Sequence, residues 1–243
     1  MKKVLLSLAL IAATATVQAQ QFRLGLGGGI NNTWLANTNV SDQGDELDFA
    51  VTFGGSFGLE ALYNFSEKAG VSIGFLYSGH NQKYEGEIGN ADYETKVRMR
   101  YLDIPLLFRV TSTSGTYFEV GPQFGFLMKA EEEFESDVFS DTQDTKDQFN
   151  STNMAAVLGF GVDIDANKEK NVIISIGLRL GYGFSDVTKE YGSAAELDAE
   201  ETVGTPTYWA HFDNENDFGY KSTNRIFGGL KLGVSYIFPA KSG

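Results

Sequence analysis

Apolar residues recur at every second position through most of this chain, the period of a strand whose two faces meet different surroundings. From Phe49 the odd positions read Phe49, Val51, Phe53, Gly55, Phe57, Leu59, Ala61, Tyr63 and Phe65, while the even positions between them are mostly small or polar. The same split runs from Phe118 to Met128, Met154 to Ile164, Val172 to Phe184 and Ile226 to Phe238. The pattern predicts eight strands, at 21–32, 48–65, 70–84, 93–110, 115–130, 153–165, 171–185 and 224–238. A soluble sandwich alternates too, but its polar face carries long charged side chains. Here the polar face is largely Gly, Ser and Ala, which suits a narrow, crowded lumen with the greasy face turned to lipid.

The connections support a barrel. Ser66–Ala69, Thr111–Ser114 and Ala166–Lys170 are short, whereas Thr33–Leu47, Glu85–Asp92, Glu131–Thr152 and Asp186–Thr223 are long. Short periplasmic turns and long external loops are how outer-membrane barrels are threaded, and an even strand number puts both mature ends in the periplasm. Two aromatic belts follow: Tyr63, Phe65, Phe108, Phe118, Tyr236 and Phe238 at the periplasmic side, and Phe49, Tyr77, Phe126, Tyr182 and Phe184 at the outer side. The expected fold is all-β: an eight-stranded, antiparallel, up-and-down transmembrane barrel over residues 20–243, after a cleaved signal peptide at 1–19. Lys2 and Lys3, the apolar run Val4–Ala15 and the small-residue site Val17-Gln18-Ala19 carry the signal reading.

Composition narrows the chemistry. The 243 residues contain no Cys, so disulfides and thiolate metal sites are excluded. The net charge of −13 disfavours nucleic acid as a partner. The acid gathers in the last two long loops: Glu131, Glu132, Glu133, Glu135, Asp137, Asp141, Asp144 and Asp147, then Glu190, Glu196, Asp198, Glu200, Glu201, Asp213, Glu215 and Asp217. These read as a solvated, mobile surface, with divalent cations bridging them to lipopolysaccharide as an elaboration.

Eight strands enclose only enough room for side chains. Parity turns Arg23, Arg109, Arg179 and Lys231 inward against Glu60, Asp103, Glu119 and Asp163, and charges at that depth require partners. The expectation is a salt-bridged plug, with a small gated pore as the alternative. The fourth strand fits less well. Its parity puts Arg98 and Arg100 outside, so either a bulge flips the register there or both lie above the hydrocarbon near anionic head groups. Pro105 lacks a ladder donor and suggests a local irregularity.

The stretch Arg100-Tyr101-Leu102-Asp103-Ile104-Pro105-Leu106-Leu107 and the later Gly121-Pro122-Gln123-Phe124-Gly125 resemble the small outer-membrane barrels labelled porin-family or PorT-like, common in the Bacteroidetes lineage. Lys231, Gly233, Tyr236 and Phe238 match the terminal signal read by the barrel assembly machinery, although Pro239–Gly243 follow where Phe238 is usually last. The resemblance implies outer-membrane location, with lipid, lipopolysaccharide and surface or secretion-complex proteins as partners.

Catalytic and cofactor signals are weak. His80 and His211 are the only histidines, and His80 reads as a rim residue bonded to solvent. Asp213-x-Glu215-x-Asp217-x-Gly219 echoes a calcium loop without its distal Glu. Gly25-x-Gly27 lies in a strand with no helix after it, so it is no nucleotide loop. The chain is therefore expected to be a non-catalytic envelope protein without a cofactor, working through its external loops. A small-solute channel and a PorT-like secretion component are the alternatives.

Overall fold

The computed structural model describes residues 21–41, 48–88, 91–136, 140–191, 210–213 and 217–238. The signal segment, the terminal tail, Asp137, Glu196, Asp198, Glu200, Glu201 and Glu215 lie outside the described residues. In chain order the elements are β1 (Gln21–Ala36), α1 (Thr38–Ser41), β2 (Asp48–Ala50), β3 (Phe53–Asn64), β4 (Ala69–Ile88), β5 (Ala91–Thr111), β6 (Thr116–Ser136), β7 (Ser140–Asp144), a 3-10 turn (Lys146–Gln148), β8 (Thr152–Asp165), β9 (Val172–Gly183), β10 (Phe212–Asp213), β11 (Asp217–Phe218) and β12 (Asn224–Phe238).

The long strands β1, β3, β4, β5, β6, β8, β9 and β12 pair antiparallel in that order, and β12 pairs with β1, closing the ring. Closure leaves no unpaired edge for lipid, which could not satisfy one. The register can be followed round the ring from Phe22 through Tyr63, Val71, Phe108, Val120, Leu158, Leu180 and Gly228 to Asn32, ten residues further along β1. Such a stagger on eight strands tilts them by roughly 40–45°. Their outer face is apolar and exposed: Leu26 and Phe57 are each 67% exposed. At the end with the short turns, Gly115 adopts φ +86°, where a Cβ would lie 2.5 Å from Asp163 O.

The β4, β5 and β6 strands run for 20, 21 and 21 residues, about twice the 9–11 needed to cross a membrane. Their outward apolar residues stop at Tyr77, Leu102 and Met128; beyond these the outer face turns to charge. Glu85–Asp92 is therefore no long loop, because all but residues 89–90 extend the β4–β5 hairpin.

One other expectation is corrected, and the alternatives left open for the fourth predicted strand are resolved. The 48–65 segment is broken at Val51–Thr52, and the register against β4 moves by one residue between Ser56↔Ser78 and Ala50↔Lys83. Phe49 consequently leaves the outer belt and packs on Tyr84, with ring centroids 5.4 Å apart. In β5 the alternation continues unbroken past Arg98 and Arg100, which stay outside. The bulge lies in the next strand: Tyr101 pairs with Leu127 and Arg100 with Lys129, leaving Met128 extra. Pro105 interrupts pairing with β4 without shifting register, since Ile73↔Leu106 and Leu76↔Asp103 stay in step, while on the other side it pairs with Gln123 and the ladder to β6 lapses at Leu106 and Leu107.

The apolar core sits inside the ring at the loop end. Leu35, Val40, Tyr84, Tyr93, Val97, Met99, Tyr101, Leu127, Ala130, Phe149 and Val187 form it. The described parts of the long loops are tied down over this core rather than left loose. Asn39 Nδ2 donates to Gly219 O at 2.8 Å, Asn150 Nδ2 to Thr188 O at 2.8 Å, and the Tyr220 hydroxyl to Asp186 at 2.6 Å. Glu131–Glu135 belong to β6 and pair with β7.

Candidate functional site

The inward positions build three polar layers below that core. Nearest the turns, Asp163 accepts from Arg23 at 2.6 Å, Arg109 at 2.7 Å and Ser175 at 2.7 Å. The Arg109 guanidinium lies 3.5 Å above the Tyr117 ring. In the middle, Arg179 donates to Glu119 at 2.7 Å and to Glu60 at 3.3 Å, and Lys231 reaches Glu60 at 2.9 Å and Glu119 at 3.9 Å. Space for this square comes from the facing strand: a Cβ on Gly159 would lie 2.6 Å from Glu119 Cγ.

The upper layer centres on Asp103. Its partners are His80 Nε2 at 2.8 Å and Arg225 at 3.6 Å, and His80 Nδ1 contacts the Thr33 hydroxyl at 3.1 Å. The Arg225 guanidinium lies 4.5 Å from the Tyr101 centroid and 5.2 Å from that of Phe227. With Nε2–H donated to Asp103, Nδ1 accepts from Thr33.

Seven of the eight predicted lumen charges thus meet in two clusters, while Asp103 stands apart with partners the sequence reading did not assign to it. His80 is not a rim residue: it is 2% exposed. Arg225, fully buried, was missed as a lumen cation. It shares parity with Lys231 on β12, so alternation alone could have found it. The terminal-signal residues divide by face: Lys231 enters the middle layer, whereas Tyr236 and Phe238 face outward, with Phe238 5.7 Å from Phe22 across the β1–β12 seam. Two small cavities, about 50 and 40 Å³, lie along the lumen among the described residues, room for a few waters each.

Above the belt, Lys83 Nζ bridges Glu85 at 2.6 Å and Glu94 at 2.7 Å. The hydrogen bonds to Glu85 and Glu94 raise the Lys83 amine, and the bond from Lys83 holds the Glu94 carboxyl below its usual range. Burial pushes the Tyr84 phenol up. Among the described residues no three metal-ligating side chains come together. Asp213 and Asp217 face one another as backbone partners across the short β10–β11 hairpin.

A closed ring with an apolar exterior and a polar, ion-paired interior defines an integral outer-membrane β-barrel. The chain belongs to the outer membrane protein beta-barrel domain family, whose model matches residues 18–189. Among solved structures it is similar to Ail, the attachment invasion locus protein of Yersinia pestis, crystallised with the heparin analogue sucrose octasulfate (12% identity, 90% of this chain and 99% of that one, TM-score 0.37). It is also similar to AlkL in DMPC lipid bilayers (13%, 95% and 95%, 0.48) and to OprG from Pseudomonas aeruginosa (12%, 92% and 98%, 0.36). No curated protein matches the sequence.

Proposed function

We propose that this protein is a non-conducting, non-catalytic outer-membrane barrel whose working surface is the β4–β7 sheet and the loops beside it on the cell exterior. The carrying observation is the lumen: among the described residues, three ion-paired layers are stacked beneath a packed apolar layer, with cavities of only about 50 and 40 Å³ along them. Ion pairs at this depth are stable only when every charge keeps its partner, so the stack resists hydration into a pore. The short turns face the periplasm and the long strands face outward, as barrels of this type are threaded. Single-channel recording on pure protein is the test: no steady conductance is expected, and a sustained open level would overturn the reading.

The Thr33–His80–Asp103 chain has the connectivity of a nucleophile, base and orienting acid. Thr33 is only 1% exposed, between the apolar layer and the ion pairs, which supports the non-catalytic reading. Membership of a secretion complex rests on the Arg100–Leu107 resemblance, and co-purification of stoichiometric partners would support it.

A further inference from the structure

Pairing between β3 and β4 ends at Ser56↔Ser78, and β4 next pairs at Lys83 with β2. Along the interval, side-chain amides take over the backbone carbonyls: Asn32 Nδ2 donates to Thr52 O at 2.5 Å and Asn81 Nδ2 to Phe53 O at 2.8 Å. The lapse leaves a groove of about 340 Å³ on the outer face of the ring, lined by Phe53, Gly55, Phe57, Tyr77, Gly79 and Arg100 among others. Its floor is open, since a Cβ on Gly55 would meet only Gly29 O, at 3.6 Å.

Arg100 caps the groove. Its cross-strand neighbours are Gly79 and Lys129, and it leans over Gly79, where a Cβ would lie 3.1 Å from Nη1. One outward position nearer the turns, Leu102 and Tyr77 face lipid, so the guanidinium stands at the upper edge of the hydrocarbon. The outward cations beside it already have acids: Arg98 with Glu133 at 2.5 Å and Lys129 with Glu131 at 2.6 Å. Arg100 has no carboxylate partner among the described residues. It bonds only Asn81 Oδ1, at 2.8 Å, and Met99 O, at 3.1 Å. An aromatic-walled trough below and an uncommitted planar cation above fit a molecule with an acyl chain and a phosphate.

The geometry points to a site for a phosphorylated glycolipid of the outer leaflet, with its phosphate on Arg100 and one acyl chain in the trough. The site depends on the barrel's seat in the membrane and not on whether the lumen conducts, so the conductance test and this one fail separately. Full-length protein in detergent is incubated with bis-phosphorylated lipid A or with the same lipid stripped of phosphate, and native mass spectrometry counts the bound lipid. One retained lipid A is expected on the wild type. Dephosphorylation, Arg100→Gln, or Gly79→Val, which fills the place where the guanidinium lies, each lowers occupancy about ten-fold. Lys170→Gln, at the turn end, leaves it unchanged. Faster migration of the unheated protein in a detergent gel checks folding, and the dephosphorylated-lipid arm needs no variant. Equal binding of stripped lipid, wild-type occupancy in a folded Arg100→Gln protein, or displacement by equimolar inorganic phosphate would overturn the proposal.

Discussion

At the scale of single residues, each lumen charge is held by what faces it. Glu119 is the shared acceptor of the middle layer, so Glu119→Gln leaves Arg179 and Lys231 with Glu60 alone. A buried cation stripped of its partner costs about 3–5 kcal/mol. Urea unfolding of the lipid-reconstituted variant is expected to show a loss of that order, with the fold retained at low denaturant. The rim pair Lys83–Glu94 has a pH signature. Because the Glu94 carboxyl is lowered, its contribution is present above its ordinary range and is lost as pH falls through the depressed value. Because the Lys83 amine is raised, its contribution is present below its ordinary value and is lost only as pH rises through the raised one. An NMR titration of the Glu94 carboxyl checks the acid limb: its midpoint returns to the ordinary range in Lys83→Met.

At the scale of elements, alternation was legible wherever one face met lipid and the other met the lumen. It failed where a strand left the membrane. Phe49 looks like a belt residue because it continues the odd series, but the break at Val51–Thr52 lies in a segment with no turn residue to announce it. The β6 bulge was equally silent, since Met128 and Lys129 sit at the change from an apolar to a charged outer face, where either parity reads plausibly. That bulge keeps Ala130 and Glu132 inside and Glu131 and Glu133 outside. Deleting Met128 alone makes the ladder continuous and leaves every residue above on its present face, whereas deleting Met128 and Lys129 together inverts everything above. Only the double deletion is expected to give a folded membrane ring with a protease-sensitive β6–β7 hairpin, read by limited proteolysis of the unheated protein.

At the scale of the whole molecule, strand number, closure and the greasy exterior followed from the period-two pattern and the connection lengths. The layering inside did not. Which charges share a level depends on the ten-residue stagger round the ring, a quantity no single strand carries. Asp103 therefore looked like one of four anions sharing the four cations Arg23, Arg109, Arg179 and Lys231, although the stagger lifts it to His80 and Arg225. The apolar layer was hidden for a related reason. Tyr84, Tyr93, Val97 and Met99 lie on the lumen side of the outer parts of the predicted strands 70–84 and 93–110, where an inward apolar residue contradicts the rule that holds lower down.

That reversal along β4, β5 and β6 has a mechanical consequence. Sinking the molecule by one outward residue would drag Arg100 and Lys129 into oil, and lifting it equally would strand Tyr77 and Leu102 in brine. The strands act as a depth gauge with a single mark, so a thinner or thicker bilayer must deform to meet this protein, because the protein has no second height at which to float.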